Sequence, residues 1–145
     1  MTKGFSLIEL AFVLLIVALL TAVGLPQLRP YIDRIATNQA AQEITTALAV
    51  GRHGAVMQAT RARVTIAADT LRIDRLRIGK TDEWVPWWRR PGPADYRVQL
   101  EVSNPEVVFG PTGLGWGASN TKVVLRRGSQ VETITVSRVG RVKRW

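Results

Sequence analysis

Cysteine is absent from this chain of 145 residues, and histidine occurs once, at His53. Without cysteine there are no disulfide bonds and no thiolate metal ligands, so a domain outside a membrane must be held together by packing. A single histidine excludes a paired-histidine metal motif, and neither a nucleophile elbow nor a phosphate-binding loop occurs. We therefore expect no catalytic residue, no metal and no cofactor. The alternative to a metal-free protein is that Asp82 and Glu83 form a metal-binding pair.

Charge is nearly missing between Phe5 and Leu25, where Glu9 is the only charged residue. A helix of these 21 residues is roughly 31 Å long at 1.5 Å per residue, close to the ~30 Å hydrocarbon thickness of a bilayer. A carboxylate in such a helix costs about 2.5–3.5 kcal/mol at the bilayer centre and less near an end, so it usually has a partner. The sequence predicts a transmembrane helix at residues 5–25.

A partner for Glu9 has to come from outside this helix, because no lysine or arginine lies between Lys3 and Arg29. If the chain were cut after Gly4, the new α-amine of Phe5 would be a cation at the membrane depth of Glu9 in a neighbouring subunit. This geometry favours a polymer.

Two other interpretations fit the apolar segment less well. A cleaved secretory signal has an apolar region of about 7–15 residues followed by a small-residue cleavage site. Here the apolar segment is longer, contains a carboxylate and is followed by no such site before Pro26. A plain single-pass anchor fits the length but gives no reason for Glu9.

The heptapeptide Gly4-Phe5-Ser6-Leu7-Ile8-Glu9-Leu10 resembles the class III leader of type IV pilins and pseudopilins. The resemblance implies that residues 1–4 are a leader, removed by a prepilin peptidase that then N-methylates Phe5. It also implies that Glu9 meets the N-terminal amine of an adjacent subunit.

Membrane topology follows from the same resemblance. The family orientation implies an inner-membrane protein with its leader in the cytoplasm and its C-terminal domain periplasmic or exported, and Lys3 is a weak positive-inside signal in agreement. Pro26 falls where pilins carry a helix-kinking proline, and a proline inside a helix predicts a kink by itself.

Residues 26–59 are predicted to be an amphipathic continuation of the helix, because apolar and small residues recur there with a period near 3.6. These residues are Tyr31, Ile32, Ile35, Ala36, Ala40, Ala41, Ile44, Ala47, Leu48, Gly51 and Ala55. The opposite face is predicted to be solvated, with Arg29, Asp33, Arg34, Asn38, Gln42 and Glu43.

Residues 60–145 are predicted to be an antiparallel β domain, because apolar and polar residues alternate after Thr60. Strands are predicted at residues 63–67, 71–78, 97–102, 106–109, 122–127 and 131–138. The alternation slips within 71–78, which indicates a bulge. A long helix followed by consecutive strands is an α+β arrangement. The pilin resemblance implies the same fold, a long N-terminal helix packed on antiparallel sheets.

Two stretches, 80–96 and 110–120, are predicted to be irregular and to interrupt the sheet. The first contains Trp84, Trp87 and Trp88 beside two arginines, and the second contains Trp116 among four glycines. Loops of this length are often functional. These tryptophans could cap the open edge of a sheet, contact a partner protein or stack on nucleobases.

The C-terminal pattern resembles a subgroup of the pilin family. Residues 109–113 and 133–141 are similar to the closing strands of H-type pseudopilins and FimT-type minor pilins. The H-type resemblance implies a subunit that joins other pilins or pseudopilins in a type II secretion pseudopilus or the tip of a type IV pilus, and so supports protein secretion. The FimT-type alternative implies DNA binding for natural transformation.

Basic residues outnumber acidic ones by twenty to eleven, for a net charge of +9, and Arg138, Arg141, Lys143 and Arg144 follow one another without an acid. Such a segment is an electrostatic footprint for a polyanion such as duplex DNA. Residues 140–143, beginning with Gly140, match the Gly-Arg-x-Arg pattern of FimT-type pilins except that lysine stands last. Lysine contacts phosphate as a point charge without the bidentate fork of arginine. Alternatively, these residues keep an exported domain soluble or contact acidic lipids or cell-wall polymers.

Overall fold

The computed structural model of the chain describes residues 6–79 and 81–145. The predicted processing site at Gly4 and Phe5 therefore lies outside the described residues. The chain separates into two units between Ile32 and Asp33, and each unit is described by itself.

One helix, α1 (Leu7–Met57), supplies all described secondary structure of the first unit and the opening element of the second. Every described residue of the first unit is exposed. Within the described chain, α1 is the one helix long and apolar enough to cross a membrane, which fits a single-pass anchor. The helix continues through Pro26 and Pro30 without a break. Pro26 therefore does not end the helix, and the kink stays a prediction.

The part of α1 in the second unit buries mainly small side chains. Its buried residues are Ala36, Thr37, Ala40, Ala41, Ile44, Ala47, Leu48, Gly51, Gly54 and Ala55. Small residues let the helix backbone approach the strands closely, and a Cβ on Gly51 would overlap the side chain of Val64. Tyr31, Ile32 and Ile35 were expected on this buried face, but they are 71%, 53% and 53% exposed. The buried residues of the helix begin at Ala36.

Four strands form the first sheet in the order β3-β2-β1-β5, all antiparallel. Their bounds are Ala62–Ile66 for β1, Thr70–Arg77 for β2, Glu83–Pro91 for β3 and Glu106–Phe109 for β5. The prediction of an irregular stretch at 80–96 was wrong for β3. This strand tolerates its prolines because it lies at the edge of the sheet, where a missing N–H need not cost a ladder bond.

The predicted bulge exists, but on the neighbouring strand. Ile73 pairs with Trp88 and Asp74 with Pro86, so Trp87 is the extra residue and the bulge belongs to β3. The slip in apolar alternation on β2 is present, since Leu71 and Ile73 are buried on one side of the strand and Leu76 on the other.

A second antiparallel sheet has the order β4-β6-β7-β8. Its strands are β4 (Gln99–Val102), β6 (Thr121–Arg127), β7 (Gln130–Val136) and β8 (Val142–Arg144), and a 3₁₀ turn at Pro93–Tyr96 precedes β4. Residues 110–120 contain neither helix nor strand, as predicted, apart from one bridge between Phe109 and Gly115. β8 was not predicted.

The second unit has one continuous core between α1 and the inner faces of both sheets. Its largest fully buried side chains include Ile44, Leu48, Ile73, Phe109 and Leu125. The α+β fold, a long helix packed on antiparallel sheets, is therefore confirmed.

Candidate functional site

Glu9 is an exposed carboxylate in the first turn of α1. Its neighbours on the helix are exposed apolar side chains, with Leu7 86% and Phe12 65% accessible. No described residue forms a salt bridge with Glu9. In a bilayer such a carboxylate would need a partner supplied by another molecule or by a group outside the described residues.

Arg144 lies in β8, where strand alternation directs it to the same side as Val142 and opposite to Lys143. Its Nε donates to Glu132 Oε2 at 2.6 Å and its Nη2 to Glu132 Oε1 at 2.7 Å. Nη2 also donates to the side-chain oxygen of Asn38 on α1. Arg144 thus fastens β8 to β7 and to the helix, and its fork is already occupied.

The pKa of the Arg144 guanidinium is raised above its ordinary value. Its hydrogen bonds to Glu132 are the main cause, burial opposes them, and the Coulomb attraction of Glu132 adds to the rise. Arg144 is therefore held as a cation in a closed ion pair.

The other basic residues of this segment are solvent-exposed. Arg138 and Arg141 lie at the turn between β7 and β8, and Lys143 lies one residue inside β8. Gly140, by contrast, is a buried turn residue with φ of +72°, and a Cβ there would lie 2.7 Å from the carbonyl oxygen of Gly113. Arg138, Arg141 and Lys143 are therefore exposed at or beside this turn, whereas the guanidinium of Arg144 is bound to Glu132.

A groove of about 830 Å³ runs between α1 and the segment that contains this turn. The helix contributes Thr45, Leu48, Ala49, Arg52, His53 and Val56, and the other wall is formed by Val139, Gly140, Arg141, Val142 and Arg144. We call this feature the basic groove. Arg52 Nη1 donates a long hydrogen bond of 3.4 Å to the carbonyl of Gly140, across the groove. No pattern in the sequence indicates that helix residues 45–56 face residues 139–144.

Each of the five tryptophans has a basic side chain over its ring, at 4.0–5.9 Å from a ring centroid. The pairs are Arg61 with Trp116, Arg63 with Trp84, Arg75 with Trp87, Arg90 with Trp88 and Lys143 with Trp145. One face of each ring is therefore covered by the chain's own cation. This counts against nucleobase stacking on those faces. Trp84, Trp87 and Trp88 lie in β3, the edge strand of the first sheet, and Trp87 packs against α1 at Gly54, so capping of the edge stays a prediction.

The candidate metal pair finds no support in the described part of the chain. Glu83 forms a salt bridge with Arg77 at 2.8 Å. No group of three or more histidine, aspartate or glutamate side chains that could hold a metal ion occurs among the described residues.

Comparison with solved structures gives the same fold in two pilin-like proteins. The type IV minor pilin FimU of Pseudomonas aeruginosa superposes with a TM-score of 0.61 at 15% identity, covering 76% of this chain and 88% of that chain. The minor pseudopilin EpsH from the Type 2 Secretion System of Vibrio cholerae gives a TM-score of 0.59 at 14% identity, covering 75% of this chain and 95% of that chain. At such low identity the likeness concerns the fold.

Sequence comparison decides the family. No curated protein sequence matches the chain. The family model described as Type II transport protein GspH matches residues 40–140, which is more than half of the chain and contains the core strands. The chain therefore belongs to the family of the type II transport protein GspH, a pilin-like and pseudopilin family.

Proposed function

We propose that this protein is a minor pseudopilin of a type II secretion pseudopilus, anchored in the inner membrane by α1 and processed between Gly4 and Phe5. The observation that carries the proposal is the exposed Glu9 carboxylate within an apolar helix, in a chain of the GspH family. An N-terminal amine at Phe5 of an adjacent subunit would neutralise Glu9 and so fix the register between neighbouring helices. The fold supports this proposal because FimU and EpsH share it.

Glu9→Gln and Glu9→Ala test the assembly step. Both variants should be made, cleaved and anchored, but should be lost from the sheared filament fraction, and secretion should fall with them. Thr21→Val is the matched control, because the Thr21 hydroxyl lies in the same apolar helix and already donates to the carbonyls of Val17 and Ala18. Filament incorporation by Glu9→Ala at the wild-type level would refute the proposal.

Processing is tested separately by intact-mass measurement of the protein purified from membranes. The expected mass is that of a chain beginning at Phe5 with one added methyl group. A mass that includes residues 1–4 in a strain with an active prepilin peptidase would contradict processing after Gly4. The control is the same protein from a strain without the peptidase.

DNA capture for natural transformation is the second candidate function, and the exposure of Arg138, Arg141 and Lys143 around one turn favours it. Binding of duplex DNA should weaken with salt, with a log–log slope of about −0.9 per phosphate contacted. Arg141→Ala should make this slope shallower by about 0.9, the value for one phosphate contact. Arg144→Ala should leave the slope unchanged, because its guanidinium is bound to Glu132. Absence of binding at low salt would eliminate this candidate.

A further inference from the structure

The basic groove combines an apolar lining with basic side chains. Its lining includes apolar side chains from both walls, among them Leu48, Val56 and Val139. Every charged or titratable side chain that lines it is basic: Arg52, His53, Arg141 and Arg144. Its volume of about 830 Å³ lies within the ~300–1,000 Å³ of clefts that enclose a ligand.

We propose that the basic groove binds an acidic, amphipathic segment of a neighbouring subunit in the same filament. The proposal rests on the proposed function, since it takes the partner to be a pilin-type subunit. Apolar side chains of that segment would fill the groove over Leu48 and Val56, and its carboxylates would pair with Arg52 and Arg141. Helix-in-groove and acidic-motif recognition both use such arrangements.

Two of the lining arginines keep their charge available. Arg52 and Arg141 are exposed, and neither forms a salt bridge with a described residue. The bond from Arg52 goes to a neutral carbonyl and is long, at 3.4 Å. Arg144, in contrast, is neutralised by Glu132 and shapes the wall rather than recruiting a carboxylate. The unsatisfied positive charge of the groove is therefore that of Arg52 and Arg141, on opposite walls.

A protein segment fits this lining better than duplex DNA does. DNA presents phosphates and sugars to a positioning surface, and these are bound by exposed basic side chains without a concave apolar lining. Val139, which is 61% exposed, and Val56, which is 46% exposed, would gain nothing from a phosphate. Apolar area that a side chain removes from water is worth about 25 cal/mol per Å². The groove therefore favours an occupant that carries apolar side chains as well as negative charge.

A second copy of this chain is a poor occupant. The chain has a net charge of +9, and like charges brought together at an interface oppose association. Charge complementarity instead requires a partner segment with an excess of carboxylates. We therefore commit to a different subunit as the occupant.

The absence of cysteine permits a direct test, because any introduced cysteine is unique. A photo-crosslinker attached to the thiol of Ala49→Cys lies in the groove. The same reagent attached to Ala118→Cys lies on the exposed loop of residues 110–120 and is the matched control. Each full-length variant is co-expressed with the neighbouring pilin-type subunits, and the cross-linked peptides are identified by mass spectrometry. We expect Ala49→Cys, and not Ala118→Cys, to cross-link to a subunit segment that contains both carboxylates and apolar residues.

Charge reversal then tests the two arginines. Arg52→Glu and Arg141→Glu, each in the Ala49→Cys background, should lower the cross-linking yield about tenfold, as expected for a lost interfacial charge pair. Arg138→Glu is the control, because Arg138 is exposed nearby but does not line the groove. Wild-type yields in both reversals would overturn the proposal, as would a cross-linked segment without carboxylates. Loss of duplex DNA binding in both reversals with unchanged cross-linking would also overturn it, in favour of DNA.

The two cysteine variants, compared with Glu9 intact and in a Glu9→Gln background, separate this inference from the proposed function. If the protein is a filament subunit but the groove is not its docking site, Glu9→Gln will abolish incorporation, and with Glu9 intact Ala49→Cys and Ala118→Cys will cross-link alike. If the protein is not a filament subunit, Glu9→Gln will have no effect and neither cysteine will cross-link to a pilin-type subunit. Both results refute the groove proposal, and only the second refutes the proposed function.

Discussion

The guanidinium of Arg144 donates to both carboxylate oxygens of Glu132, at 2.6 and 2.7 Å, from β8 to the adjacent strand β7. A two-bond fork of this kind is the strongest geometry for an ion pair between side chains. This ion pair joins the edge strand β8 to β7, and the further hydrogen bond from Arg144 to Asn38 links β8 to α1. Arg144, one of the candidate DNA-binding residues, therefore links β8 to its neighbouring strand and to the helix.

Arg144→Ala should destabilise the protein by about 1–2 kcal/mol, because it removes charge-assisted hydrogen bonds and leaves Glu132 without its partner. The value is discounted for partial exposure, since the two side chains are 33% and 23% accessible. Urea unfolding, followed by circular dichroism, measures the change as a shift in midpoint. Arg141→Ala is the matched control and should stay within about 0.5 kcal/mol of wild type, because Arg141 is exposed. Equal shifts for the two variants would contradict the structural role of Arg144.

Local patterns were sufficient for the helix and for most strands. The apolar run around Glu9 and the 3.6-residue period after Pro26 predict α1, and two-residue alternation predicts six strands close to their observed positions. β3 was missed because its prolines are typical of loops, and only its place at the sheet edge makes them acceptable. β8 was missed because a strand of three residues is too short to show alternation.

The solvated environment predicted for Asp33 was wrong because this residue forms an ion pair with a partner that is distant in the chain. Asp33 was expected on a solvated helix face, but it accepts a bond from Arg127 Nε at 2.8 Å and is half-buried. Arg127 also donates to the carbonyl of Tyr96. The two members of this ion pair are 94 residues apart in the chain, and no local pattern in the sequence indicates such a contact. The basic groove was missed for the same reason.

Gly54 lies where α1 meets Trp87, and a Cβ at this position would overlap the six-membered ring of the indole. Gly54→Ala should therefore destabilise the second unit by about 1–3 kcal/mol, the usual cost of overpacking, although alanine favours the helix. The thermal unfolding midpoint measures the effect. Gly24→Ala is the same substitution in the same helix with no atom within 4 Å of the new methyl group, so it should not lower that midpoint. If Gly54→Ala were neutral, Trp87 would have to be free to move.

Ala59 follows the end of α1 with φ of +48°, a left-handed conformation that usually requires glycine. A non-glycine residue in this conformation costs about 1–2 kcal/mol. Glycine removes this cost, but its greater freedom in the unfolded chain offsets part of the gain in stability. Ala59→Gly should therefore stabilise the protein by about 0.5 kcal/mol. Gly117→Ala is the reverse substitution, at φ of +68° with nothing within 4 Å, and should destabilise it by about 1 kcal/mol. Urea midpoints that move in the same direction would disprove the argument.

Asp74 is the buried charge of the first sheet, only 2% exposed. Its Oδ2 accepts from Arg63 at 3.0 Å and lies 3.2 Å from Arg72 Nε. Removing a buried member of an ion pair typically costs about 3–5 kcal/mol. Because Arg63 and Arg72 both retain contact with water, we expect Asp74→Ala to cost less, about 2–3 kcal/mol.

A double-mutant cycle apportions this cost between the two arginines. Arg63 is 22% exposed, pairs across the strands with Asp74 and stacks on Trp84, whereas Arg72 is 45% exposed. The coupling of Asp74 to Arg63 should therefore exceed its coupling to Arg72, which we expect to be below about 1 kcal/mol as for other exposed pairs. Urea unfolding of the single and double alanine variants gives both values. A larger coupling to Arg72 would mean that the exposed arginine, and not the cross-strand one, is the main partner of the Asp74 carboxylate.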